Sequence, residues 1–412
     1  MTALSSANPS TTVSLREDSL IMALVGLSHA SSHFSHLLLP LMFPVFMKEF
    51  GWTFSELGLM SSVFFVISGA GQACSGFVVD RFGARPILFA SLSLFVLACL
   101  TASMATSYPA MLLVAVLAGL GNCAFHPLDF TILNQRISSA RIGYAFSVHG
   151  LTGSLGWAAA PLFMGLLSTQ FGWRTAYQAA ALLYLGILAL MVLQRDKLAT
   201  TIAARPDDAP KGQDLAFMRL PVVWWCFGFF LLSTVTLAVV QNFSLPILQA
   251  LHQVSFEAAT LTLTFYMLAS AVGILIGGFV ASRWPAHSDK VVASCMCGAA
   301  MLLGVCASGV MGAMGTMVVL AATGFAVGIG GPSRDLMIKK ATPAGATGRV
   351  YGLVYSGLDV GFALSPIVFG AFMDRGWYSA TLACAAVVLL LSVGAALGVG
   401  QRTPPSMAPE PG

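Results

Sequence analysis

Residues 76–86 read Gly76-Phe77-Val78-Val79-Asp80-Arg81-Phe82-Gly83-Ala84-Arg85-Pro86. Apolar runs lie on either side, near 55–79 and 86–106. Each is long enough to cross the hydrocarbon core of a bilayer, which takes about 20 helical residues. The stretch therefore reads as a tight polar turn joining two membrane spans. Gly83 permits the turn, and Gly76 permits close approach of a neighbouring helix. Asp80 is placed to face a helix N-terminus, and Arg81 and Arg85 to meet acids or lipid phosphates. The alternative is a solvated basic loop that only sets topology.

The rest of the chain extends this pattern. Its 412 residues are 57% hydrophobic and only 9% charged, and its mean hydropathy is +0.84. Soluble proteins carry roughly 25% charged residues, and they need a polar skin that this composition cannot supply. Apolar runs near 20–46, 55–79, 86–106, 108–133, 142–168, 174–194, 221–247, 256–281, 290–310, 313–338, 348–373 and 377–399 predict an all-α membrane protein of twelve transmembrane helices. Residues 1–18 are polar, and the run after them is too long for a cleaved leader, so it is read as the first span. Cys74, Cys99, Cys123, Cys226, Cys295, Cys297, Cys306 and Cys384 all lie in apolar runs without CxxC or zinc-like spacing, as small buried hydrophobes do.

With a cytoplasmic N-terminus, the outer loops carry Lys48, Arg174 and Arg375, and the other 17 of the 20 Lys and Arg fall on the inner side. This positive-inside bias predicts an inner-membrane protein with both termini cytoplasmic. The one long polar stretch inside the chain, about 195–219, divides it into two six-span halves, 1–194 and 220–412. The halves repeat. At an offset of 202, Phe54 meets Phe256, Ser68 meets Ser270, Gly71 meets Gly273, and Gly76-Phe77-Val78 and Arg81 meet Gly278-Phe279-Val280 and Arg283. At an offset of 205, Gly119 meets Gly324, Pro127 meets Pro332, and Gly156, Pro161 and Gly165 meet Gly361, Pro366 and Gly370. Duplication of a six-helix unit predicts two pseudo-symmetric bundles.

The 76–86 turn resembles the signature of the major facilitator superfamily, G-x-x-x-D-R-x-G-R-K/R between spans two and three. The resemblance implies the major facilitator fold, with spans one, four, seven and ten lining a central cavity. It implies that Asp80 holds the two halves together on the cytoplasmic side, near Gly348. The second-half copy has Ser282 where the acid would stand. Within the superfamily, His29, Leu38-Leu39-Pro40, Phe50-Gly51 and Phe125-His126-Pro127 resemble the fosmidomycin-resistance branch. Where that branch tends to carry Asn-Asp in span one, this chain has Ser32-His33. Span five resembles the glycine-rich antiporter pattern in Gly150, Gly153, Gly156, Pro161 and Gly165, with Ala160 before the proline.

Polar groups inside the hydrocarbon are costly, which makes each a functional candidate. His29, His33 and His36 share one face of span one. Span four holds Asn122, His126 and Asp129, at a depth similar to His29, and Pro127 is placed to kink it. Span five adds His149, span seven Gln241 and Asn242, span ten Arg334 and Asp335, and span eleven Tyr355 and Asp359. Such a set suits exchange of a proton as a substrate binds, and Arg334 suits attraction of an anion. The structural alternative is hydrogen bonding between helices, with Arg334 and Asp335 pairing at a helix end.

These readings converge on a monomeric secondary transporter with a small-molecule substrate, drug-like or a metabolite, working by alternating access with proton coupling, in the efflux or the uptake direction. One alternative is a carrier of divalent metals or metal chelates using His29 and His33, although no full set of metal ligands is assigned. Another is a non-transporting membrane sensor. No enzyme motif stands in the chain, and no cofactor or nucleic-acid partner is implied.

Overall fold

Physics of the bilayer explains why the chain is helical: without water, every backbone N–H and C=O must be bonded within its own segment. The computed structural model describes residues 14–138, 140–201, 216–341 and 347–402. In order these form α1 (Leu15–Leu38), α2 (Phe43–Phe50), α3 (Phe54–Phe82), α4 (Ala84–Met104), α5 (Tyr108–Asn122), α6 (Phe125–Arg136), α7 (Ile142–Phe171), α8 (Trp173–Leu193), α9 (Pro221–His252), α10 (Phe256–Arg283), α11 (Ser288–Ser308), α12 (Ala313–Ala341), α13 (Thr347–Asp374) and α14 (Tyr378–Arg402). No strand occurs among the described residues. Most of the central stretch 195–219 and both tails lie outside them.

Eleven helical segments are long and apolar enough to span a membrane, counting α5 and α6 as one. The twelfth is α1. It falls short of that measure of hydropathy, and the reason is the His and Ser residues that the sequence reading singled out. The first span is also not one continuous helix. It breaks at Leu39, and a single 3-10 turn at Pro40–Met42 leads into α2. Pro40 has no N–H to continue the ladder.

Span four breaks as well, between α5 and α6. Pro127 cannot donate to the carbonyl four residues before it, Cys123. That freed oxygen accepts a hydrogen bond from Ser75 Oγ of α3 at 3.1 Å. The break falls just before His126 and sets the rotation of the segment that carries His126 and Asp129.

The internal repeat is visible in what equivalent residues do. Thr53 Oγ1 accepts from Glu56 N at 3.2 Å at the start of α3, and Ser255 Oγ accepts from Ala258 N at 3.2 Å at the start of α10. Thr53 and Ser255 are 202 apart, the offset of the repeat. A Cβ on Gly119 would stand 2.6 Å from Phe64 O, and one on Gly324 would stand 2.2 Å from Tyr266 O. In each half the fourth span lies against the backbone of the second, and only glycine leaves room.

Between the halves, α3 packs on α13 and α7 on α10. The contact is tight at the end away from the 76–86 turn. There the Phe43 and Phe243 ring centroids are 6.2 Å apart. Asp374, at the end of α13, accepts hydrogen bonds from Phe54 N at 2.6 Å and Ser55 N at 3.0 Å. Residues Ala238–Leu248 of α9 are buried without interruption at this end. Toward the arginine-rich end, Gln72, His126, Tyr355 and Asp359 are only half-buried.

Candidate functional site

The site grows from α1. Its three histidines recur at spacings of four and three, so they share one face, and α6 and α7 pack against that face. His29 Nδ1 and His149 Nε2 each lie 3.1 Å from Asp129 Oδ2. Ser28 Oγ stands 3.4 Å from the other carboxylate oxygen. Asp129 is fully buried. The rings of His29 and His149 stack with centroids 3.5 Å apart. One carboxylate balances one imidazolium, so the trio holds one proton with no net charge in hydrocarbon, and releasing that proton leaves the carboxylate uncompensated.

A second network surrounds Asn122. Its Oδ1 accepts from Ser32 Oγ at 2.6 Å and lies 3.2 Å from His36 Nε2. Its Nδ2 donates to Ser68 Oγ at 2.8 Å. Trp157 Nε1 is 3.2 Å from His36 Nδ1. Indole N–H can only donate, so His36 Nδ1 accepts and its proton sits on Nε2, facing the Asn122 oxygen. Both nitrogens of His36 are therefore occupied, and this residue serves to hold α1, α5 and α7 together. The Phe65 and Phe362 rings stack 4.3 Å apart beside it, one from each half.

A third contact crosses the interface. His126 Nδ1 is 2.9 Å from Gln72 Oε1, and Gln72 Nε2 donates to Asp359 Oδ2 at 3.3 Å. The amide thus relays between a histidine of the first half and an acid of the second. His33 occupies the middle of the cluster, with ring centroids 4.5 Å from His29 and 4.3 Å from Trp157. Its Nδ1 is buried without a hydrogen-bond partner. One ligand atom from each of His29, His33 and His126 can be chosen so that all lie within 4.8 Å of one another, and the same holds for His29, Asp129 and His149.

The structure thus gathers His29, His33, His36, Asn122, His126, Asp129, His149 and Asp359 into one connected cluster. The other sequence candidates lie apart from its hydrogen bonds. Gln241 and Asn242 are buried in α9, with Gln241 Nε2 and Asn242 Oδ1 unpartnered. Arg334 Nε donates to Asp335 Oδ1 at 2.9 Å, and its guanidinium lies 5.1 Å from the centre of the Phe230 ring. Its charge is already matched, which favours the helix-end pairing. Tyr355 packs on Phe230, with centroids 4.9 Å apart.

In the 76–86 turn, Gly83 has φ +82°, where a Cβ would be strained. Ala84 N donates to Thr200 Oγ1 at 3.0 Å, and Arg85 Nη1 to Arg195 O at 3.4 Å, so the turn holds the start of the central segment. Arg81 lies over Phe82. Gly76 corrects an expectation: a Cβ there would meet nothing within 4 Å, so no helix presses on it in this conformation. Asp80 is exposed, and the side chains around its expected partner near Gly348 lie outside the described residues.

Sequence reasoning did not place Gln72, Trp157, Ser68 or Gly153 in the site. Gln72 and Trp157 carry polar atoms in the hydrocarbon, but neither titrates, and attention to ionisable groups passed over them. Gly153 is needed because a Cβ there would stand 2.7 Å from His33 Cε1 and 3.0 Å from His29 Nε2. Its neighbours in space are more than a hundred residues away in sequence.

The family model of the Major Facilitator Superfamily matches residues 25–314 and 238–412. The chain belongs to this superfamily. It is 25% identical over 379 residues to the transporter YfnC of Bacillus subtilis (strain 168), covering 90% of this chain and 91% of that protein. It is 24% identical to the fosmidomycin resistance protein of Escherichia coli (strain K12), over 64% of this chain and 65% of that one. A bacterial homologue of the human lysosomal transporter Spinster, solved in an inward-facing and occupied conformation, superposes with a TM-score of 0.70 at 13% identity, covering 95% and 97% of the two chains. The protein is a multi-pass membrane transporter rather than an enzyme, and its likeness to the fosmidomycin-resistance branch is loose.

Proposed function

We propose that the protein moves a small organic solute, drug-like or a metabolite, across the inner membrane by alternating access, with proton exchange at the histidine cluster. The 1–194 and 220–412 halves act as the two rocking units. The observation that carries this reading is the network from Asp129 to Asp359. A buried carboxylate shared by two imidazoles sits beside His126, and the His126–Gln72–Asp359 relay spans the interface that must open and close. A proton on this cluster changes the energy of parting the halves, which is what coupling requires.

On the positive-inside bias the arginine-rich end is cytoplasmic, so the end closed by Asp374 and the Phe43–Phe243 contact faces outward. Arg334, neutralised by Asp335, gives little support to an anionic solute. The superfamily's character argues against the sensor reading. A thermal-shift screen of purified protein at two pH values identifies a ligand through mass-action stabilisation, and that ligand is then reconstituted in proteoliposomes. Asp129→Asn is expected to abolish accumulation driven by a pH gradient and to spare solute exchange at equal pH. Uphill accumulation that survives in both Asp129→Asn and His33→Ala sinks the coupling reading.

A further inference from the structure

We infer that His29, His33 and His126 form a binding site for a divalent first-row transition-metal ion of the zinc or cobalt kind. The inference rests on the proposed transport function and names a ligand of the same site: a metal with an open coordination position, as the complex of a small organic solute or as the free ion.

The three rings differ in which of their nitrogens are engaged. His29 commits Nδ1 to Asp129 and keeps Nε2 free. His126 commits Nδ1 to Gln72 and keeps Nε2 free. His33 Nδ1 is buried and unpartnered, which is costly for a polar atom in hydrocarbon. Three rings therefore offer nitrogen lone pairs that no protein group satisfies, and one nitrogen of each ring can be chosen so that the three lie within 4.8 Å of one another. Zn–N bonds of 2.0–2.1 Å place tetrahedral ligands about 3.3 Å apart. Ring rotations that move each nitrogen by about 1 Å close the difference.

The surroundings fit as well. Two of the three rings donate their second nitrogen to an oxygen, His29 to a carboxylate and His126 to an amide carbonyl. This outer arrangement fixes the tautomer and raises ligand basicity at metal sites. His33 and His126 are only half-buried, so an ion can reach them, and three protein ligands leave a fourth position open. Imidazole nitrogens select the zinc, nickel, copper and cobalt range over magnesium or calcium. The other grouping, His29 with Asp129 and His149, is less suited. Its atoms already satisfy one another and all three residues are buried. His36 is excluded because both its nitrogens are engaged.

The test is a cobalt titration of the detergent-purified full chain, followed by visible absorption. One arm uses Co2+ alone and the other the Co2+–nitrilotriacetate complex. One equivalent per chain is expected, with the intense d–d bands of low-coordinate cobalt or a shifted chelate spectrum. The arm that responds names the source. His33→Ala and His126→Ala are each expected to weaken binding about 100-fold, and Asp129→Asn about 10- to 100-fold. Gly153→Ala removes no ligand but crowds His33 and His29, and should weaken binding too. His287→Gln, at an exposed histidine between α10 and α11, should stay within about threefold of the parent, which separates ligand loss from general damage. Melting curves identify any variant that fails to fold, and the Gly153→Ala and His126→Gln variants then decide. No cobalt spectrum in either arm, or one unchanged in His33→Ala and His126→Ala, overturns the metal site. Proton-driven transport of a metal-free solute would survive that result, so the two readings fail separately.

Discussion

Asp374 offers a direct measure of what holds the two halves together at the closed end. Its carboxylate accepts from Phe54 N at 2.6 Å and Ser55 N at 3.0 Å, and also from Ser55 Oγ. It thus caps the N-terminus of α3 from the far end of α13, joining the halves through a group favoured by the helix dipole. Hydrogen bonds to a charged group contribute about 1.5–3 kcal/mol each. The contact is partly exposed, so the lower figure applies to each of the two backbone bonds. Asp374→Ala then costs the closed state about 3 kcal/mol, a shift of about two decades in the closed-to-open ratio. The assay is thiol labelling of Ser244→Cys in a chain whose eight cysteines are replaced. Ser244 is 1% exposed, and its neighbour Phe243 packs on Phe43 and Phe54 across the interface. A membrane-impermeant reagent added from that side reacts in proportion to the open population. Labelling should speed up about 100-fold in Asp374→Ala and by an intermediate factor in Asp374→Asn. A rate within about threefold of the parent would mean that Asp374 does not hold the closed end and that the aromatic contacts do so without it.

Other expectations follow from single contacts. Gln72→Leu cuts the relay between His126 and Asp359, and should lower pH-driven accumulation about tenfold while solute exchange at equal pH persists; accumulation at the parental level would remove Gln72 from the coupling. Gly324→Ala places a Cβ against the backbone at Tyr266, which cannot rotate away, and should destabilise the second half by about 1–3 kcal/mol, read as a lower melting temperature. Glu49, in the short α2 after the first span, is bonded by Trp173 Nε1 at 2.5 Å and Arg174 Nη1 at 2.6 Å. Burial pushes its pKa up, but these bonds outweigh it and hold the carboxyl below its ordinary 4.5. A depressed folded pKa stabilises above the unfolded value, and that gain is lost as pH falls through the folded one. The melting temperature of the parent should therefore fall more steeply below pH 4.5 than that of Glu49→Gln; parallel curves would count against the pairing.

What could be read from the sequence was whatever is local along the chain. The bilayer sets the length of an apolar run, so the twelve spans were countable residue by residue, and α3 to α14 begin and end close to the predicted limits. The repeat was legible because Gly119 and Gly324, or Pro127 and Pro332, recur at the same place in each half. The cost of burying ionisable groups also picked out His29, His126, Asp129 and His149 before any contact was known. Where Pro127 acts was half legible: a kink was foreseen, but not a full break of the helix, nor that Ser75 would take up the carbonyl it frees. Only the tertiary structure distinguished the histidines by their free nitrogens. His36 is locked by Trp157 and Asn122 while His33 stands unpartnered, although both lie on one face of one helix. It likewise showed Gly153 pressed against imidazoles and Gly76 facing open space. Such differences depend on the rotation of α1, α3, α6 and α7 about their axes. Packing between residues about a hundred positions apart fixes that rotation, and no periodicity within a single helix records it.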